Sequence, residues 1–159
     1  MSNQTTAVET SDIMIEEVFS HSVAKIWRTL TTGELIGRWL MEPTGFEAEV
    51  GKQFTFQTTA AGAWDGLIRC RVLEIIPEKL FSFSWQGGDA ANVGYGSLMD
   101  TVVTWTLTPE GNGTRLRLVH SGFVLPRNET AYENMTKGWR EVVEKVSTVS
   151  GEQTSASLQ

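Results

Sequence analysis

The sequence predicts an α+β protein: a curved antiparallel sheet of about six to seven strands wrapped round a long C-terminal α-helix, with two short helices after strand 1. Three observations predict it. From Gly45 to Phe123 apolar residues recur with period two, broken by turn residues at short intervals. Between Glu129 and Thr148 they recur at helical spacing as one stripe of Tyr132, Met135, Trp139, Val142 or Val143, and Val146. Before the strands, Val23 to Leu40 carries two shorter helical patterns.

Taken in order, Ile13 to Ser20 reads as a first strand. Ser20 or Ser22 then caps a helix, since a hydroxyl accepts from the free amides of a first turn. Val23, Ile26, Trp27 and Leu30 form its apolar face. Thr32 and Gly33 interrupt it, and Glu34 to Leu40 follows as a second helix bearing Leu35, Ile36 and Trp39. Strands are expected at Phe46–Val50, Gln53–Thr59 and Trp64–Ile76, the last with a bulge at Val72-Leu73 where its alternation breaks. Leu80–Gln86 puts Phe81, Phe83 and Trp85 on one face. Thr101–Thr108 and Thr114–Phe123 pair as a hairpin, with Val103, Trp105 and Leu107 on one strand and Leu116, Leu118 and His120 on the other. The Gly-rich stretch Gly87–Gly96 lacks the ending and context of a phosphate loop, and reads as a mobile connection or as a lid carrying Tyr95, Leu98 and Met99.

One domain is expected over residues 13–150, with residues 1–12 and 151–159 as frayed tails poor in large apolar side chains. A 159-residue chain buries roughly 70 % of its unfolded surface, enough for a core without staples. The formal charge of −6 and the absence of a basic run exclude nucleic acid as a partner. The same sign disfavours anionic membranes, and no apolar run is long enough for membrane insertion. Cys70 is the only cysteine, so no internal disulfide forms, and a cytoplasmic location is expected. With two histidines and no close carboxylate pair on one face, neither a metal site nor a cofactor is expected.

Several segments together carry a family resemblance. They are Val23 to Thr31, Leu35 to Trp39, Gly51-x-x-Phe54, Gly66 leading into Glu74-Ile75-Ile76-Pro77, Leu80 to Trp85, Thr114 to Phe123 and Gly138-Trp139. In their order and spacing the chain resembles the START-like helix-grip (SRPBCC) superfamily. Within it the chain is similar to the branch of homologues of the heat shock protein 90 ATPase activator, over roughly Ile13 to Ser147. The resemblance implies an internal cavity between sheet and C-terminal helix that takes small hydrophobic or amphipathic molecules.

The side chains expected to line that cavity are Trp39, Phe54, Phe56, Phe83, Trp85, Trp105, His120, Met135 and Trp139. Large rings fill cores and line pockets equally well, so each is also a plain core residue. His120 and an arginine are candidates to orient a polar end of the ligand; Asp65, Arg69 and Arg71 could reach the cavity mouth, surface charge being their expected fate. His21 is expected at the surface. Gly138 interrupts a helix at a cost of roughly 1 kcal/mol relative to alanine; close approach of helix and sheet is the expected compensation, and clearance for a ligand the alternative.

Non-catalytic ligand binding is therefore the expected function, with no catalytic residue assigned. A cyclase- or aromatase-like enzyme using His120 as a base is the alternative from chemistry. A co-chaperone-like module stimulating a chaperone ATPase is the alternative from the resemblance, although the eukaryotic co-chaperone has a second, N-terminal domain not found in this sequence. Homodimerisation is compatible with the resemblance and is demanded by no residue.

Overall fold

The computed structural model describes residues 10–152. Its elements are β1 (Thr10–Phe19), α1 (Val23–Thr31), α2 (Gly33–Trp39), β2 (Gln53–Gln57), β3 (Leu67–Ile76), β4 (Leu80–Gly87), β5 (Met99–Glu110), β6 (Gly113–Val124) and α3 (Glu129–Glu152). The six strands make one antiparallel sheet in the order β1-β6-β5-β4-β3-β2. The expected α+β class, the curved sheet, the two short helices and the long last helix are all present.

Period two is what buries one face of this sheet. Phe54 and Phe56, Ile68, Cys70 and Val72, Phe81, Phe83 and Trp85, Val103, Trp105 and Leu107, and Leu116 and Leu118 all point to the core. Arg69 and Arg71, between the buried residues of β3, are exposed. The break at Val72 is a bulge, where the register with β4 shifts between Val72 and Glu74. The helices close the inner face. Ile26 and Leu30 of α1, Ile36 and Trp39 of α2, and Trp139, Val143, Val146 and Val149 of α3 are buried there. Ser22 caps α1 by accepting from the Lys25 amide at 3.2 Å.

The elements differ from expectation in four places. Phe46–Val50 is not a strand: it folds as turns, with the Glu49 amide on the Glu47 carbonyl and Val50 61 % exposed. Only Phe46 of its apolar set packs inward, edge-on to Phe54 and Phe81. The ladder partner such a strand would need is not there; a single bridge, Thr44 to Thr55, is all that reaches β2. The strand expected from Trp64 begins at Leu67, because Gly66 takes φ +84° and a Cβ there would stand 2.3 Å from the Thr58 carbonyl oxygen.

The other two differences are at the ends. Thr10 to Asp12, assigned to a tail, pair with β6 through Thr10–Val124 and Ser11–Phe123. Gly151 and Glu152, assigned to the other tail, continue α3, and Glu152 forms an ion pair with Arg38 of α2. The tail expectations for 1–9 and 153–159 lie outside the described residues. His21 is half-buried rather than exposed, its Nε2 3.2 Å from Ser147 Oγ on α3.

Candidate functional site

Sheet and α3 lie together at one end and part at the other, leaving a cavity of about 240 Å³. The floor is the inner face of β3 to β5, with Ile68, Trp85, Gly87 and Met99. One wall is the N-terminal half of α3, with Ala131, Met135, Gly138, Trp139 and Val142. Leu40 and Met41, just after α2, form another. The remaining side is closed by the connections flanking β3 and β4, through Thr58, Trp64, Tyr95, Gly96 and Ser97. Three wider depressions, near Glu34–Lys52, between β1 and α3, and between Asn92–Gly94 and Pro126–Thr130, are more open to solvent and each is lined in part by charged side chains. The cavity wall holds no charged side chain and no histidine.

Of the residues expected at the cavity, Trp85, Met135 and Trp139 line it. Trp39, Phe54, Phe56, Phe83, Trp105 and His120 do not; they belong to the packed core, each at most 3 % exposed. The reason is mutual packing: Phe54 stands edge-on to Phe83 at 5.5 Å and to Phe56 at 5.6 Å, and Trp105 edge-on to Trp39 at 5.5 Å. Those rings fill the closed end of the grip, where sheet and helices touch. Asp65, Arg69 and Arg71 are exposed, the fate expected of them, and are absent from the cavity wall.

His120 is fully buried and committed to neighbours on both ring nitrogens. The Trp139 indole N–H donates to Nδ1 at 2.9 Å, and Nε2 lies 2.8 Å from Thr101 Oγ1. An indole nitrogen is only ever a donor, so Nδ1 is the acceptor and Nε2 carries the proton. Nε2–H therefore donates to Thr101 Oγ1, whose own proton goes to the Trp85 carbonyl at 2.8 Å. Burial lowers the pKa of His120 to about 3. The ring stays neutral near pH 7 and acts as a bracket between β6, β5 and α3, holding Trp139 and Trp85 in the cavity wall. Its one lone pair is taken up by Trp139, and the ring is not part of the cavity wall.

Gly138 overturns the expected close approach of helix and sheet. A Cβ built on it would meet no atom within 4 Å, and the residue faces the cavity. The glycine leaves open space beside Trp139, which was the alternative explanation.

The Gly87–Gly96 stretch and the residues after it cover the cavity and are tied on two sides. Asn92 Nδ2 donates to the Ala61 carbonyl at 2.7 Å, the Ala63 amide donates to Asn92 Oδ1, and the Tyr95 hydroxyl donates to the Thr59 carbonyl at 2.9 Å. On the other side the fully buried Asn128 accepts from the Val124 amide and donates to Ser97 Oγ and the Leu98 carbonyl. The lid-like position is real for Tyr95 and Met99, while Leu98 points away, 40 % exposed. Sequence reasoning missed Met41, Trp64, Ser97 and Asn128. They sit in connections without periodicity, and only the Asn-rich, Gly-rich composition of those connections hinted at backbone-tying side chains.

Cys70 is buried, and burial pushes its thiol well above the usual range, so it is an inert core residue. Among the described residues no group of three His, Cys, Asp or Glu side chains could hold a metal ion, and no helix is long and apolar enough to cross a membrane.

A family model described as activator of Hsp90 ATPase homolog 1-like protein matches residues 20–150. The chain is 33 % identical to protein MLL2253 from Mesorhizobium loti, whose crystal structure it matches with a TM-score of 0.76 over 91 % of this chain and 99 % of that one. Protein BH1534 from Bacillus halodurans is 25 % identical, with a TM-score of 0.69 over 90 % and 99 % of the two chains. The Aha1 dimer from Colwellia psychrerythraea shares the fold at 20 % identity, with a TM-score of 0.66 over 86 % and 93 %. No curated protein matches the chain.

Proposed function

We propose, on the premise that this chain belongs to the activator of Hsp90 ATPase homolog 1-like family, that it binds a small hydrophobic or amphipathic molecule in the cavity without transforming it. One observation carries the reading: beside a closely packed core, three tryptophans and three methionines surround about 240 Å³ of space. Closely packed interiors do not leave such a gap without reason. Its size lies between the roughly 150 Å³ that holds a benzene and the roughly 300 Å³ where drug-sized sites begin. Affinity comes from removing apolar area from water, at about 25 cal/mol per Å² before association costs. Methionine suits such a wall because its unbranched side chain adapts to irregular ligands.

The enzymatic alternative loses support from the residue that motivated it, because His120 lies behind the wall, its one lone pair is taken up by Trp139, and burial makes it a weak proton acceptor. The family name and the Aha1 relative keep a chaperone partner as the second reading, and the described dimer of that relative supports homodimerisation here. Both are tested directly, by chaperone ATPase rate at saturating protein and by sedimentation.

The decisive experiment is native mass spectrometry of the freshly purified chain, followed by denaturing extraction. Retention of a discrete small molecule, lost in Trp85→Ala, is the expected result. A Trp85→Ala protein that still folds and binds as before would overturn the assignment of this cavity.

A further inference from the structure

We infer that the ligand is an uncharged aromatic molecule bearing an acceptor oxygen, such as an aryl ketone or ether, and that carboxylates are rejected; this rests on the cavity-binding reading above. The polar atoms of the wall carry the inference. Of its three indoles, Trp64 Nε1 donates to the Leu67 carbonyl at 3.0 Å and Trp139 Nε1 to His120 at 2.9 Å. The Trp85 indole N–H makes no hydrogen bond among the described residues and is not sealed off, whereas the fully buried nitrogen without a partner, Trp105 Nε1, lies in the packed core away from the cavity wall.

Ser97 is the second unused donor. Its Oγ accepts from Asn128 Nδ2 at 3.0 Å. The orientation of the Asn128 amide is fixed by its other partners, since the Val124 amide requires an oxygen and the Leu98 carbonyl requires an N–H. The Ser97 hydroxyl therefore accepts from Asn128, and its own proton has no acceptor among the described residues. Ser97 is 1 % exposed and lines the cavity. A buried donor without a partner costs free energy until something accepts from it.

Two donors, on the floor strand β4 and on the loop leading into β5, thus belong to a wall whose other polar side chains, Thr58, Asn134 and Tyr95, are uncharged and whose remainder is apolar or aromatic. No lysine, arginine or histidine in the wall compensates an anion, and the chain's net charge of −6 adds a field of the wrong sign. Burying a carboxylate without a counter-charge is far more costly than burying a ketone that accepts one or two hydrogen bonds. The rings of Trp85, Trp139 and Trp64 in the wall suit an aromatic ligand, which can stack on them or meet them edge-on.

Three near-isosteric probes separate the possibilities: 2-acetylnaphthalene, 2-ethylnaphthalene and 2-naphthoate, titrated calorimetrically into the full chain at pH 7. The expected order is acetyl tightest, ethyl weaker by roughly three- to tenfold for the lost hydrogen bond, and naphthoate weaker than acetyl by at least roughly a hundredfold. Trp85→Phe keeps a ring and removes its N–H, and Ser97→Ala removes the hydroxyl. In either variant the acetyl-to-ethyl affinity ratio should fall towards one; this ratio is the readout, because ring area lost at Trp85 weakens both probes alike. Equal binding of all three probes, or an acetyl preference untouched in both variants, would overturn the ligand class while leaving cavity binding intact. No binding of any probe would overturn the class and the cavity-binding reading together.

Discussion

Replacing Gly138 by alanine tests the cavity from the side of stability. The residue lies in the interior of the 24-residue helix α3, where glycine is less favourable than alanine by roughly 1 kcal/mol. In a packed interface a new methyl group would clash and reverse the sign. Here a Cβ would meet no atom within 4 Å, so the propensity gain should survive almost whole. The expected effect is stabilisation by about 0.5–1 kcal/mol, or a rise in Tm of roughly 1–4 °C for a chain of this size. The methyl also takes up space comparable to one water, roughly 30 Å³, of the cavity's about 240 Å³. Gly138→Leu extends the same direction and should block binding while the chain stays folded. The assay is urea unfolding of each variant beside a binding titration. Destabilisation of the alanine variant by more than about 0.5 kcal/mol, or a leucine variant that binds as before, would refute the open-space account.

Three further predictions follow from the groups around the site. His120 has an ordinary pKa of 6.5 when unfolded and about 3 when folded. The unfolded chain therefore binds the proton first, and stability present above pH 6.5 is lost as pH falls towards 3. At about 1.36 kcal/mol per pH unit the loss is on the order of 4 kcal/mol. His120→Leu should lack this loss, so the gap in unfolding free energy between it and the natural chain, about 1–3 kcal/mol at pH 7 from the orphaned Trp139 and Thr101 groups, narrows on acidification; a gap independent of pH would contradict the assignment. Asn128→Ala leaves the Val124 amide and Leu98 carbonyl without partners, and should cost about 1–3 kcal/mol and speed hydrogen exchange in residues 88–98; unchanged exchange there would show that Asn128 does not tether the loop. Glu17 on β1 has its pKa raised by desolvation and by neighbouring Glu144 on α3. As pH rises through the carboxylate range the folded state holds that proton longer, so stability falls; Glu144→Gln should raise Tm at pH 7 but not below pH 4, and equal Tm values at pH 7 would dismiss the repulsion.

The fold was legible because its signals are local and repeated. Alternation in Leu80–Gln86 and Thr114–Phe123 and the stripe from Tyr132 to Val146 each state which face is buried, and the register of the sheet follows from them. Where alternation was short, it misled. Phe46, Ala48 and Val50 alternate as in a strand, yet strand formation depends on a neighbour to pair with, and that neighbour is a property of the whole sheet.

The sequence by itself determined which side chains leave water: Trp39, Phe54, Phe56, Phe83, Trp85, Trp105, His120 and Trp139 are all buried, as their faces require. It could not decide which of them meet another side chain and which meet empty space, because burial and cavity lining have the same apolar signature. That was settled only by how far α3 stands from the sheet along its length. Near Val143 and Val146 the two touch; beside Gly138 they part. The fate of His120 was decided in the same way. Its alternation in β6 placed it inside, but only the meeting of β5, β6 and α3 brought Trp139 and Thr101 to its two nitrogens and turned a candidate base into a neutral bracket behind the cavity wall.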